Sequence, residues 1–155
     1  MSKNFDIPVS NGELSDLIGQ IYDAGLTGQW TALLDQVIDI TQSNKAFIYL
    51  QKLSSQNPLL LEFQANFEYS ADVLNDFYGR TFEDPYYQVI KTEVEGESIN
   101  LNKRIKIHDH KGTHFYDNII VPMKSFQAFG GVLLRDGVHD SLFATNRGIE
   151  DPPYS

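Results

Sequence analysis

A chain of 155 residues, 41% hydrophobic and carrying a net charge of −9, predicts one globular domain with a core of useful size and an acidic surface. Disorder is excluded by that composition, and no apolar run reaches the ~18 residues that a membrane helix needs. With no cysteine there is no disulfide, thiolate nucleophile, thiolate metal site or cysteinyl flavin, and the acidity opposes nucleic-acid binding by this chain, because phosphate contacts need clustered Lys and Arg.

Residues 1–13 carry no period and read as a flexible arm, and residues 14–155 read as the single domain. The start lacks a basic-plus-apolar leader, which predicts a cytoplasmic location. Leu14, Leu17, Ile18, Ile21 and Tyr22 recur at helical spacing, and Trp30, Leu33, Leu34, Val37 and Ile38 repeat it. Two amphipathic helices follow from this, the second reaching about Thr41. Residues 46–50 are aromatic and β-branched, hence a strand, and they are apolar on both faces, so both sides need a cover. A turn over residues 54–58 leads to a second strand, Leu59–Ala65, and the pair predicts a hairpin. Ser70 is placed to cap a third helix, and Asp84-Pro85 to open a fourth, with Asp84 as cap and Pro85 at the first helical position. Residues 93–110 are polar, with a short edge strand expected at 98–101.

A short helix from His114 is expected to end at Pro122, which cannot continue it. An apolar strand carries Gly130-Gly131, which predicts a bulge, close helix packing, or space for a ligand against the sheet. Asp136-Gly137 suits the centre of a two-residue hairpin turn, with residues 138–146 as the returning strand. Strand hairpins at both ends with helices between predict an α+β fold, an antiparallel sheet flanked by helices.

The order and spacing of three motifs carry a resemblance. They are Leu17-Ile18-Gly19-Gln20-Ile21-Tyr22-Asp23-Ala24 followed by Trp30; Asp76-Phe77-Tyr78 leading to Asp84-Pro85-Tyr86; and Phe115-Tyr116-Asp117-Asn118 followed by the strand and turn from Phe129 to Gly137. In these the chain resembles the N-terminal sensory domain of LuxR-type helix-turn-helix transcriptional regulators, over about residues 14–146. The resemblance implies a PAS-like or GAF-like fold with about five antiparallel strands. It also implies a ligand-sensing and dimerisation role, and a DNA-binding domain expected downstream of this chain. Tyr78 and Asp84 match in kind the positions with which the quorum-sensing branch holds an acyl-homoserine lactone. The tryptophan of that helix has no counterpart here, which argues against that ligand.

The aromatic excess near the third and fourth helices predicts a pocket between them and the sheet. The candidate ligand-binding residues are Phe47, Tyr49, Tyr78, Phe82, Asp84, Tyr87, Phe115, Phe126 and Phe143. The expected partners are a small molecule and a second copy of the chain in a homodimer, with no nucleic acid bound by this fragment and no membrane. There is no P-loop and no G-x-G-x-x-G, and no cofactor is expected. His108, His110 and His114 have short spacing, but with Lys103, Arg104, Lys106 and Lys111 around them they read as a solvated loop without metal. No catalytic constellation stands out. The alternatives to a sensor are a small α+β enzyme of cyclase or isomerase type, or a dimerisation module that binds nothing.

Overall fold

The computed structural model describes residues 10–54 and 58–154, without the side chains of residues 13 and 14. Helix α1 runs Asn11–Thr27 and α2 Thr31–Thr41. Strands β1 (Lys45–Lys52) and β2 (Leu59–Ala65) form the expected antiparallel hairpin. Helices α3 (Ala71–Arg80) and α4 (Pro85–Ile90) follow, then the three-residue strand β3 (Ser98–Asn100). A π-helical turn, Tyr116–Ile120, leads into α5 (Val121–Met123), and β4 (Gln127–Arg135) and β5 (His139–Arg147) close the fold. The sheet is five-stranded and antiparallel in the order β2-β1-β5-β4-β3, with β3 on an edge. Thus the α+β class and strand number agree with the expectation. Helix α1 starts at Asn11, ahead of Leu14, while residues 1–9 of the expected arm and 55–57 of the first turn lie outside the described residues.

Strand alternation sorts the sheet into two faces. Phe47 and Tyr49 on β1 pair with Ala144 and Leu142 on β5, and these four face α3, α4 and α5. Ala46, Ile48 and Phe143 face α1 and α2. That explains the doubly apolar β1: it is covered on both sides. Caps set the helix starts. The Ser70 side chain accepts from Val73 N–H at 3.2 Å, and Asp84 Oδ1 accepts from Tyr86 N–H at 2.8 Å. Ser70→Ala is expected to cost about 1 kcal/mol, read as a lower urea midpoint with an unchanged slope.

Three local expectations are corrected. The last helix passes through Pro122 and ends at Lys124, whose φ is +53°. The π turn makes this possible, since Val121 N–H reaches back five residues to Tyr116 O, which widens the ladder where a proline ring would crowd a carbonyl. What comes close to the sheet at Gly130 and Gly131 is neighbouring backbone. A Cβ on Gly130 would strike the Phe143 carbonyl oxygen, and one on Gly131 the Glu97 carbonyl oxygen, so both allow neighbouring backbone to approach β4. The irregularity of β4 comes later, between Val132 and Leu134. The final turn is shifted by one residue. Gly137, with φ +86°, and Val138 are central, while Asp136 N–H bonds His139 O at 3.2 Å.

The polar stretch 102–112 is pinned to the core. Ile107 is buried, and Asn102 donates to Phe126 O at 3.0 Å and accepts from Ala128 N–H at 2.7 Å. The histidines in and just after it do not converge. His108 bonds the Tyr116 hydroxyl at 2.9 Å, His114 meets Asp76 at 2.7 Å, and no group of three or more potential metal ligands stands together among the described residues.

After β5 the chain folds back on the sheet. Gln127 Nε2 donates to Gly148 O and Asp151 O, and Arg147 Nη1 donates to Pro152 O. The Arg147 guanidinium lies 4.1 Å from the Tyr154 ring centroid. The Tyr154 hydroxyl, buried, meets Ser43 Oγ at 2.7 Å and Thr145 Oγ1 at 3.1 Å.

Candidate functional site

The inner face of the sheet and the helical layer of α3, α4 and α5 enclose a small cavity of about 40 Å³. That is room for roughly two or three waters. Its walls are aromatic rings in edge contact. Phe77 of α3 stands 5.7 Å from Tyr49, 5.8 Å from Phe63 and 6.2 Å from Phe115, centroid to centroid. Tyr69, 39% exposed, with Val73 and Leu74 at the start of α3, forms the side nearest solvent.

Few polar groups reach this cavity. Asp84 is 9% exposed, because the cap that opens α4 points into the core. Burial pushes its carboxyl up to about 7, against the pull of the Tyr86 and Tyr87 backbone N–H groups. The neighbouring Tyr49 hydroxyl is raised well above its ordinary value, mainly by burial and then by the charge of Asp84. The Tyr86 hydroxyl donates to Ser125 O at 2.9 Å. Ser125 and Asn146 complete the polar lining. A carboxyl able to hold or release a proton near neutrality, set among aromatics, accepts a hydrogen bond when charged and donates one when neutral.

Of the nine candidate residues, Phe47, Tyr49, Asp84 and Phe115 line this cavity. Tyr78 and Tyr87 each sit one residue past a lining residue, Phe77 and Tyr86, and so point elsewhere on their helices. Tyr78 packs against the edge of the core, and Tyr87 is buried towards Asp140. Phe126 stacks on His108 at 5.8 Å and meets Tyr116 at 6.4 Å. Phe82 is 49% exposed beneath Lys91. Phe143 is on the opposite face of the sheet, against Phe129. Sequence reading missed Phe63, Phe77, Ile119, Ile120, Ser125 and Asn146 as lining residues. Phe77 was findable, since it stands four residues after Val73 on one helical face. Ser125 and Asn146 gave no signal, being single polar residues at the end of an apolar stretch.

A second, wider hollow of about 370 Å³ lies on the outer face, between α1, α2 and the sheet. Leu17, Ile21, Trp30, Val37, Leu133 and Phe143 line it. Among the described residues its lining is apolar apart from the Trp30 indole N–H, so it has little with which to orient a ligand. The inner cavity has convergent polar groups and a shifted carboxyl, the combination that marks binding sites.

No protein-family model and no curated protein matches the sequence. Among solved structures the fold is similar to that of the VqsR ligand-binding domain from Pseudomonas aeruginosa. The match has 17% identity and a TM-score of 0.67, and covers 88% of this chain and 80% of that one. It is also similar to CepR2 from Burkholderia cenocepacia, described as an N-acylhomoserine lactone-dependent LuxR-family transcription factor. There the identity is 9% and the TM-score 0.57, covering 92% of this chain and 81% of that one. At these identities the likeness shows the fold, which is that of the ligand-binding domains of LuxR-type regulators. Both neighbours are regulator domains rather than enzymes, and no described helix is long and apolar enough to cross a membrane.

Proposed function

We propose that this chain is the sensory domain of a LuxR-type transcriptional regulator, taking a small, mostly apolar molecule into the inner cavity. The observation that carries the reading is Asp84: a carboxyl buried among aromatic rings at the start of α4, beside Tyr49 and Tyr86. As a helix cap alone it needs no such burial, since capping oxygens function at the surface. In this reading Asp84 orients the ligand's polar group and Phe47, Phe77 and Phe115 enclose its apolar part. The cavity enlarges on binding by displacement of the Tyr69–Leu74 side. Ligand occupancy then stabilises the domain, by about 2.7 kcal/mol at a concentration one hundred times Kd, and passes to a DNA-binding portion of the regulator.

The test is native mass spectrometry of the protein as purified, paired with melting in organic extracts of cells and culture medium. A small-molecule adduct, or an extract that raises the melting temperature, is expected. At pH 8, where the carboxyl is charged, Asp84→Asn keeps the capping oxygen and should weaken binding ~10- to 100-fold, since a hydrogen bond to a charged group contributes about 1.5–3 kcal/mol. An extract-induced shift that is the same in wild type and Asp84→Asn reduces Asp84 to a cap. No adduct and no active extract defeats the sensory reading.

A further inference from the structure

Two side-chain atoms on the wall of the inner cavity have no hydrogen-bond partner: Oγ of Ser125 and Oδ1 of Asn146. The residues are 8% and 2% exposed, so bulk water does not serve them. Both are held in place by their other groups. Ser125 N–H donates to Ile120 O at 3.1 Å, and Ser125 O accepts from the Tyr86 hydroxyl at 2.9 Å. The backbone is thus tied from both sides, and the hydroxyl is left over. Asn146 lies on β5 between Lys45 of β1 and Ala128 of β4. Its Nδ2 donates to Gln127 O at 3.4 Å, which orients the amide and leaves Oδ1 as the free acceptor. Native cores retain few unpartnered polar atoms, and these two share a cavity with room for two or three waters, so they mark a polar place that a guest hydroxyl can take over from water.

We propose that the Ser125–Asn146 end of the inner cavity is a polar subsite for a neutral hydroxyl, carried by a small and otherwise apolar molecule of the phenol or alcohol class. This deepens, and rests on, the reading of the cavity as a ligand site. Asn146 Oδ1 accepts only, so its guest must donate; Ser125 Oγ both donates and accepts. A hydroxyl meets both needs. A carboxylate has no proton to give Asn146, and it would give up its hydration in an apolar cavity. An ammonium would give up its hydration for a lining whose one carboxyl, Asp84, is itself disfavoured in the charged form by burial. The rest of the lining is hydrocarbon and aromatic ring, which suits the remainder of such a molecule.

The test titrates the full chain with phenol and with fluorobenzene, a near-isostere that lacks the donor, following the methyl signals of Ile119, Ile120 and Met123 on the cavity wall. Phenol should bind ~tenfold more tightly than fluorobenzene. Ser125→Ala and Asn146→Leu should each weaken phenol ~three- to tenfold and leave fluorobenzene unchanged. Ser125→Ala removes only an unpartnered hydroxyl, so the fold is not at risk. Equal affinity of the two probes in wild type, or equal weakening of both by Ser125→Ala, overturns the subsite while leaving the cavity a ligand site. If neither probe moves the methyl signals, the cavity reading itself fails, and the subsite with it.

Discussion

Raising the pH from 5 to 8 is expected to destabilise this domain, and Asp84→Asn to remove most of that loss. The folded carboxyl titrates at about 7, against 3.8 for a free aspartate. Between those values the native state holds a proton that the unfolded chain has released, so stability falls as the pH rises. The stabilising effect of the neutral carboxyl is complete below about pH 4 and is lost by the time the pH passes 7. About two units of that separation lie between pH 5 and 7, which sets a ceiling of about 3 kcal/mol on the loss between pH 5 and 8, and entry of water around the charged form makes about 1–2.5 kcal/mol the expected range. The Asp136 carboxyl, held low by the N–H groups of His139 and Val138, works in the opposite sense, but only at acid pH. Urea unfolding of wild type and Asp84→Asn at both pH values is the measurement. Parallel pH dependences would show that Asp84 is charged in the fold throughout.

Arg135→Ala should cost about 3–5 kcal/mol, far more than a surface ion pair. Arg135 Nε lies 3.2 Å from Asp140 Oδ1, and Asp140 is 2% exposed. Arg135 Nη1 also donates to Glu93 O at 2.7 Å, tying the segment after α4 to the sheet. Removing the cation strands a carboxylate in the core, whereas removing both charges does not. The double variant Arg135→Leu/Asp140→Leu should therefore recover most of the loss. A cycle built from the two single variants and the double reads the coupling directly. By contrast, Arg80→Ala, at an exposed pair with Glu83, should cost far less. An equally small loss for Arg135→Ala would mean that water reaches Asp140 when the guanidinium leaves.

Elements whose cause is local were legible in the sequence. The helical spacing of Leu33, Leu34 and Val37, the Ser70 and Asp84-Pro85 caps, and the hairpin of β1 and β2 all follow from rules that act over a few residues. Assignments that depend on a distant neighbour were not. An apolar strand with no polar alternation carries no sign of which face looks inward, so Phe143 was grouped with Phe47 although they stand on opposite faces. Gly130 and Gly131 have their reason in the Phe143 and Glu97 carbonyls, which lie elsewhere in the chain. The site was half legible for the same cause. Asp84 announces itself through proline, but Ser125 and Asn146 matter only because no partner reaches them, a property of the packed fold alone.

The strand order also governs how the chain acquires its shape in time. β1 and β2 can pair as soon as both are made. The free edge of β1, from Lys45 to Lys52, waits for β5, whose Asn146 to His139 fill it about a hundred residues later. During that interval an apolar strand with a row of unsatisfied N–H and C=O groups is open to other chains. Closing so long a loop is entropically costly before the pairing rewards it, which slows the search. On a ribosome the central strand is the last to emerge, so any device that shields the β1 edge, whether a chaperone or early docking of α2, acts on yield rather than on final stability.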